Sequence, residues 1–269
     1  MTRQPLIAAI TAVLVVGLTV AGAPGSQADD EMPVRVPAMV SLPAACVELG
    51  TLLMESEGNM RRSVCLDAFE ISSHEVNIGE FKAFLVSTGL PITHPSLEVL
   101  PHQFPVVNVT WFEAMAYTRW LSDVTGQHWT LPTEEQWEYA AGAALGAGTQ
   151  YSWGDRLLPD MANCFDCQSG PAPQSVKPVG SFPPSPLGLY DMHGNADEWT
   201  LSCFHDNDER VERRILRNRL TTCRHISVRG GSYRNTANRL RIWQRASQDA
   251  TRGDDDIGFR VVRLPAAGH

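Results

Sequence analysis

Asp191-Met-His-Gly-Asn-Ala-Asp-Glu198 alternates carboxylates with Gly and small residues. Such a backbone can turn and aim its carbonyls at the point where side-chain oxygens converge, and hard oxygen ligands of that kind suit Ca²⁺. The same pattern also fits a polar turn with a capping acid. Cys164-Phe165-Asp166-Cys167 has the spacing of a metal or redox C-x-x-C. It lacks a second such pair and a nearby paired His, so a structural disulfide in one tight turn is the simpler reading. Arg234, Arg239, Arg241 and Arg245 surround Trp243, a local excess of cation on a chain whose formal net charge is −8. No Ser/His/Asp signature, glycine-rich phosphate loop or H-E-x-x-H zinc pattern is present. His74, His94, His102, His128, His193, His205, His225 and His269 are scattered singly, as surface or packing residues are. Nothing in these residues demands catalysis.

The compartment follows from the first segment. Arg3 precedes an uncharged stretch from Leu6 to Ala23, and small residues then offer cleavage after Ala28 or Ala23. That is the layout of a secretory signal peptide over residues 1–28, and it implies a periplasmic or secreted protein. A retained anchor is the rival, because the apolar run approaches the length that spans a bilayer. Threonines and glycines inside the run, and its Ala/Gly/Ser-rich exit, favour the cleaved leader, and no Cys near the exit offers a lipid attachment point. Cleavage after Ala28 removes Arg3 as the one charged side chain and takes the net charge from −8 to −9. Nucleic acid and anionic membrane are poor partners for such a chain, and no stable membrane insertion is expected after cleavage. With 43% hydrophobic residues, the remainder can build one substantial core. Outside the cytoplasm six cysteines read as three disulfides. Fifteen pairings are open; they fall into neighbouring couples, Cys46 with Cys65, Cys164 with Cys167 and Cys203 with Cys223.

The elements that must position these groups begin with an acidic, then Pro-punctuated arm over 29–43 and a strand-like patch from Ser63 to Ser72. Three helices then announce themselves by capping boxes. Asn77 with Glu80 opens one carrying Ile78, Phe81, Phe84 and Leu85 until Gly89. Thr110 with Glu113 opens a second whose stripe is Met115, Ala116, Trp120 and Leu121, ending before Gly126. Thr133 with Gln136 opens a third through Trp137 and Tyr139 to about Ala141. From Tyr151 onward Gly, Pro, Asn and Asp interrupt every apolar run, and only brief strands fit, such as Val228–Gly231 and Ile257–Arg263. The fold class is α+β with much irregular loop.

Phe104-Pro-Val-Val-Asn-Val-Thr-Trp111, Leu131-Pro-Thr-Glu-Glu-Gln-Trp-Glu-Tyr-Ala140, Tyr151-Ser-Trp-Gly-Asp155 and Pro178-Val-Gly-Ser-Phe182 stand in order along the chain. Gly188-Leu-Tyr-Asp-Met-His-Gly-Asn-Ala-Asp-Glu-Trp-Thr200, Val228-Arg-Gly-Gly-Ser-Tyr233 and Ile257-Gly-Phe-Arg260 follow. This series resembles the formylglycine-generating-enzyme (sulfatase-modifying factor) family. The resemblance implies a C-type-lectin-like domain over 44–265, low in regular secondary structure and held by bound calcium. It places one calcium on the Asp191 and Glu198 side chains and the Gly194 and Ala196 carbonyls. A second would use the Asn163 side chain, the Cys164 carbonyl and an acid in the following loop. Here that loop, Gln168-Ser-Gly-Pro-Ala-Pro-Gln-Ser175, contains no acid.

The family's oxidases use two cysteines, which bind copper(I) and lie shortly after the Gly-Gly-Ser-Tyr landmark. The corresponding segment here, Arg234 to Arg245, holds no thiol, and Asn235 and Asn238 cannot replace the soft ligands copper(I) requires. No copper is therefore expected, and sulfatase oxidation by the family mechanism is excluded. Nor does the chain hold the H-x-x-x-H-x-E run of the iron-dependent sulfoxide synthases in the same family. Two readings remain. One is a binding or regulatory pseudoenzyme with an exported protein or peptide partner, similar to the periplasmic member that regulates threonine phosphorylation in type VI secretion. The other is a cysteine-independent enzyme similar to the one that matures the pyoverdine chromophore. For the arginines, one expectation is surface ion pairs with Asp254-Asp-Asp256, each contributing about 0–1 kcal/mol. The other is that Arg234 and Arg239, beside Asn235, line the vacated pocket and hold an acidic ligand by forked hydrogen bonds, with Trp243 as an apolar wall.

Overall fold

All three capping boxes form, and they set the starts of the three longer helices. In the computed structural model, which describes residues 35–51, 61–91, 95–146, 148–204 and 223–266, α1 spans Ile78–Thr88, α2 Pro95–Val99, α3 Trp111–Thr125 and α4 Glu134–Gly142. The expected leader, the start of the arm, and His94, His205 and His269 lie outside the described residues. At α1 the Asn77 side chain accepts from the Glu80 N–H at 3.0 Å while Glu80 Oε2 accepts from the Asn77 N–H at 2.9 Å. Thr110/Glu113 and Thr133/Gln136 repeat the arrangement, each cap contributing on the order of 1 kcal/mol. Gly89 and Gly126 end α1 and α3 as expected. The expected stripe of α3 is rotated: Ala116 is exposed and Met115 half-buried, whereas Trp111, Ala114, Tyr117, Thr118, Trp120 and Leu121 are buried. Spacings of three and four put these six on one face, and their aromatic rings outweigh a single Ala.

That face meets α1. Phe81 and Phe84 pack on Tyr117 at ring distances of 5.9 and 5.7 Å, and Phe259 closes the group at 5.4 Å from Tyr117. A second cluster sets Trp137 and Tyr139 of α4 against Phe69, Ile71 and Val262. Among the described residues the strands are β1 Met39–Leu42, β2 Ala45–Leu49, β3 Arg62–Leu66, β4 Phe69–Ser72, β5 His128–Thr130, β6 Asp197–Cys203, β7 His225–Arg229, β8 Arg245–Asp249, β9 Ile257–Gly258 and β10 Val262–Leu264. They form a sheet β1-β4-β10-β5, a ribbon β2-β3 and a sheet β8-β7-β6-β9. Four expectations change here. The strand expected over Val228–Gly231 starts earlier and stops at Arg229, before Gly230 and Gly231 turn with positive φ, and Ile257–Arg263 is two strands, β9 and β10, in different sheets. Residues 39–42 of the arm are an edge strand, paired from Met39↔Ser72 to Leu42↔Phe69. The patch Ser63–Ser72 is two strands, because β3 pairs only into the ribbon while β4 enters the first sheet.

Cysteines pair neighbour with neighbour: Cys46–Cys65 across directly opposed positions of the ribbon, Cys164–Cys167, and Cys203–Cys223. Between α4 and β6 the described residues hold neither helix nor strand, and side chains pin the backbone instead. Asn195 is the hub. Its Oδ1 accepts from the Lys177 N–H at 2.8 Å and from Asn163 Nδ2 at 3.0 Å, and its Nδ2 donates to Glu75 Oε1 at 2.8 Å. The architecture is therefore α+β with little regular structure around the two groups of residues singled out above.

Candidate functional site

Strand β7 delivers the first group. It ends at Arg229, Gly230 and Gly231 turn the chain with positive φ, and a 3-10 helix over Ala237–Leu240 follows. Asn235 Oδ1 ties the turn by accepting from the Ser232 N–H at 2.9 Å, and the Ser232 hydroxyl donates to Asp256 Oδ2 at 2.7 Å. The Gly231 N–H donates to Asp197 Oδ1 at 3.0 Å. Burial pushes the Asp197 carboxyl up to about 7; Arg239 opposes the rise, and the Asp256 charge adds to it. Every cysteine is in a disulfide, so these residues do not fit copper(I), which wants thiolate.

The four residues expected to line a basic groove are not brought together. Arg234 reaches out to Asp255 at 2.6 Å and Asp254 at 3.7 Å, at 47% side-chain exposure. For this residue the surface-ion-pair expectation holds. Arg239 donates from Nη1 to the Arg245 carbonyl at 3.1 Å, and Arg245 pairs with Glu134 at 2.6 Å. Trp243 is 2% exposed and lines a different cavity, with Val47, Leu49 and Tyr139. The reason is local: residues of a 3-10 turn and the following strand point in diverging directions, so nearness in sequence does not give one face. Asp197 was missed in the sequence, where its signal was only that it stands within a landmark already read as a calcium loop.

The second group is buried. Glu198 is fully enclosed; Arg260 grips it with Nε to Oε2 at 2.6 Å and Nη2 to Oε1 at 2.7 Å, and Trp137 Nε1 donates to Oε2 at 2.7 Å. Arg260 also donates to the Ser72 and Tyr190 carbonyls. Asp191 accepts from the Gly180 N–H at 2.7 Å. Burial pushes its carboxyl up to about 6, against the Gly180 hydrogen bond and the Arg260 charge. Glu75 joins them unexpectedly, with no exposure and its Oε2 without a hydrogen-bond partner. Burial, then the Asp191 and Glu198 charges, push the Glu75 carboxyl well up. Three buried carboxyls thus face one guanidinium, and a proton or a cation must balance the excess.

Oxygen donors of this kind suit a hard cation. Arg260 balances the Glu198 charge, so the charge left for a cation is that of Asp191 and Glu75. The loop carrying the Gly194 and Ala196 carbonyls is wound as such a site needs, with positive φ at Asp191, Gly194 and Asn195 (55°, 85° and 70°). A Cβ at Gly194 would collide with the Asn163 carbonyl oxygen, so that close approach requires glycine.

At Asn163 and Cys164 the oxygens expected to hold a second cation are engaged within the protein. Asn163 Oδ1 accepts from Gln168 Nε2 at 3.0 Å, its carbonyl accepts from the Asn195 N–H at 2.8 Å, and the Cys164 carbonyl accepts from the Cys167 N–H. The disulfide loop is a staple instead: Asp166 Oδ1 accepts from the Ala237 N–H at 2.7 Å, and the Phe165 N–H donates to the Asn235 carbonyl at 2.8 Å. A further constellation imitates a nucleophile with its base. Ser152 Oγ lies 2.7 Å from His193 Nε2, and His193 Nδ1–H donates to the Leu240 carbonyl at 2.7 Å. However, Nε2 already accepts from the Ser152 N–H, the hydroxyl reaches the Ala141 carbonyl, and burial lowers the imidazole to about 4. This is a clasp between loops, and it leaves His193 the packing residue that was expected.

Residues 26–265 match the profile of the sulfatase-modifying factor enzyme 1-like domain. The chain is 34% identical over 172 residues to the inactive C-alpha-formylglycine-generating enzyme 2 of Bos taurus, covering 60% of this chain and 50% of that protein. It thus spans about half the length of that relative. To the Bos taurus formylglycine-generating enzyme it is 27% identical over 314 residues, covering 92% of this chain and 80% of the relative. Among solved structures, PvdO from Pseudomonas aeruginosa superposes with a TM-score of 0.67 at 28% identity, over 84% of this chain and 94% of that one.

Proposed function

The chain belongs to the sulfatase-modifying factor enzyme 1-like family, and from that premise we propose that it is an exported member whose ancestral thiol site has become a binding site. One observation carries this reading. All six cysteines are paired in disulfides, and the segment that follows Gly-Gly-Ser-Tyr holds none. Thiolate capture of copper(I) and oxidation of a sulfatase cysteine then have no residue to perform them. The similarity to an inactive paralogue supports the same conclusion. Calcium belongs to this proposal as the balance for Asp191 and Glu75, where it would fix the loop that ends at Asp197. The three disulfides, the leader-like first segment and the absence of a membrane-length apolar helix among the described residues support a periplasmic or secreted location. The partner is an exported protein or peptide, and the role is regulatory.

The arrangement of Asp197, Ser232 and Arg239 favours a second reading, catalysis by residues other than cysteine, because it places an acid, a hydroxyl and a guanidinium in the vacated site. The test is incubation of the exported form with copper(I), oxygen and a peptide carrying the sulfatase cysteine. Mass spectrometry should find the cysteine unchanged; formylglycine formation would sink the proposal.

A further inference from the structure

We propose that Asp197, through its open oxygen, recognises and pairs with a cationic ligand, an amine or guanidinium carried on a peptide or small molecule. This names the ligand class of the binding site proposed above and rests on that reading. Asp197 is 7% exposed. One of its oxygens is held by the Gly231 N–H. Among the described residues the other takes no hydrogen bond, yet it is not sealed from solvent as Glu75 Oε2 is. A desolvated carboxylate with an open position is balanced by a proton or by a cation that meets it, and a cationic ligand can take the proton's place.

The charges around it point the same way. Asp197, Asp254, Asp255 and Asp256 face two guanidiniums, those of Arg234 and Arg239. Arg234 is engaged by Asp254 and Asp255 at the rim. Arg239 makes no ion pair with Asp197 and gives a donor to the Arg245 carbonyl. The Ser232 hydroxyl holds Asp256 in place. Net negative charge therefore remains, the reverse of the basic groove expected from the run of arginines, and an acidic ligand would be repelled. A guanidinium or ammonium could use the open oxygen in a charge-assisted hydrogen bond. Phe165, 55% exposed and bonded through its N–H to the carbonyl of Asn235 in the turn that follows Gly231, offers apolar surface for the body that carries the charge. A metal ion is a poorer match. Among the described residues the carboxylates gathered in a group of three within 4.8 Å are Asp254, Asp255 and Asp256, without Asp197, and a hard cation asks for roughly six to eight oxygens.

The experiment is an NMR titration of the exported form, in saturating calcium, with N-acetyl-arginine methylamide and with its glutamate counterpart. The arginine probe should shift the Gly231 to Asn235 amides and the glutamate probe should not. Asp197→Asn should weaken the arginine probe by about tenfold or more, the loss of one charge-assisted pair. Arg239→Gln, which keeps Asp197 and should fold normally, should tighten it severalfold. Equal binding by Asp197→Asn, weaker binding by Arg239→Gln, displacement of the probe by excess calcium, or capture of the glutamate probe at these amides would each overturn the proposal. Oxidation of a sulfatase peptide would instead strike the reading it rests on and leave the titration standing.

Discussion

Asp197 and Glu198 are adjacent on β6, and the alternation of a strand sends them to opposite environments. Glu198 meets a guanidinium whose fork fills both its oxygens, inside a shell with no exposure. Asp197 meets one backbone N–H and keeps an oxygen open. At the start of this strand one side chain therefore serves the scaffold while its neighbour keeps an acceptor free, although Trp199, on the same face as Asp197, returns to the core. The chemistry comes from what the partner strand and loop supply, since the two side chains differ by a single methylene.

The largest test of that contrast removes the guanidinium. Arg260→Leu leaves Glu198, Asp191 and Glu75 buried without a counter-charge, and urea denaturation should show a loss of about 3–5 kcal/mol. A loss no greater than that of Asp197→Asn would erase the distinction between the two side chains.

A smaller effect follows from the surplus charge. The folded Asp191 and Glu75 carboxyls are raised above their ordinary values of 3.8 and 4.5, Asp191 to about 6. Their contribution to stability is thus full below those ordinary values and is lost as pH rises through the folded ones. In chelator the melting temperature should fall from about pH 4 to beyond pH 6, and calcium should flatten the decline. Glu75→Gln should reduce both the slope and the calcium response. A calcium shift unchanged in this variant would return the ligand role to Glu198.

The smallest effect lies at the rim. Arg234→Ala breaks exposed pairs with Asp254 and Asp255 and should cost about 0–1 kcal/mol, diminishing in high salt. A loss as large as that of Arg260→Leu would mean that this surface is scaffold too.

Helix starts were legible because a capping box is a contact over three residues, complete within the sequence that encodes it. The disulfide couples were legible for a similar reason. The candidate site was legible only in part. The landmark loop pointed to Asp191 and Glu198, but Glu75 reaches this cluster through Asn195, 120 positions away, and Arg260 reaches the Ser72 carbonyl across 188. No local pattern announces such partners. The arginine run misled for the complementary reason: short spacing suggested a shared face, while Glu134, 111 positions from Arg245, and the Arg245 carbonyl drew the side chains apart.

The first sheet also bears on the order of folding. β10, at Val262–Leu264, lies between β4 and β5 and pairs with both, so two strands far apart in sequence are joined through a third that is synthesised long after them. The earlier strands have no central neighbour until that segment arrives. Loop closure of this length must precede the contacts that reward it, so the sheet forms late and as one cooperative event.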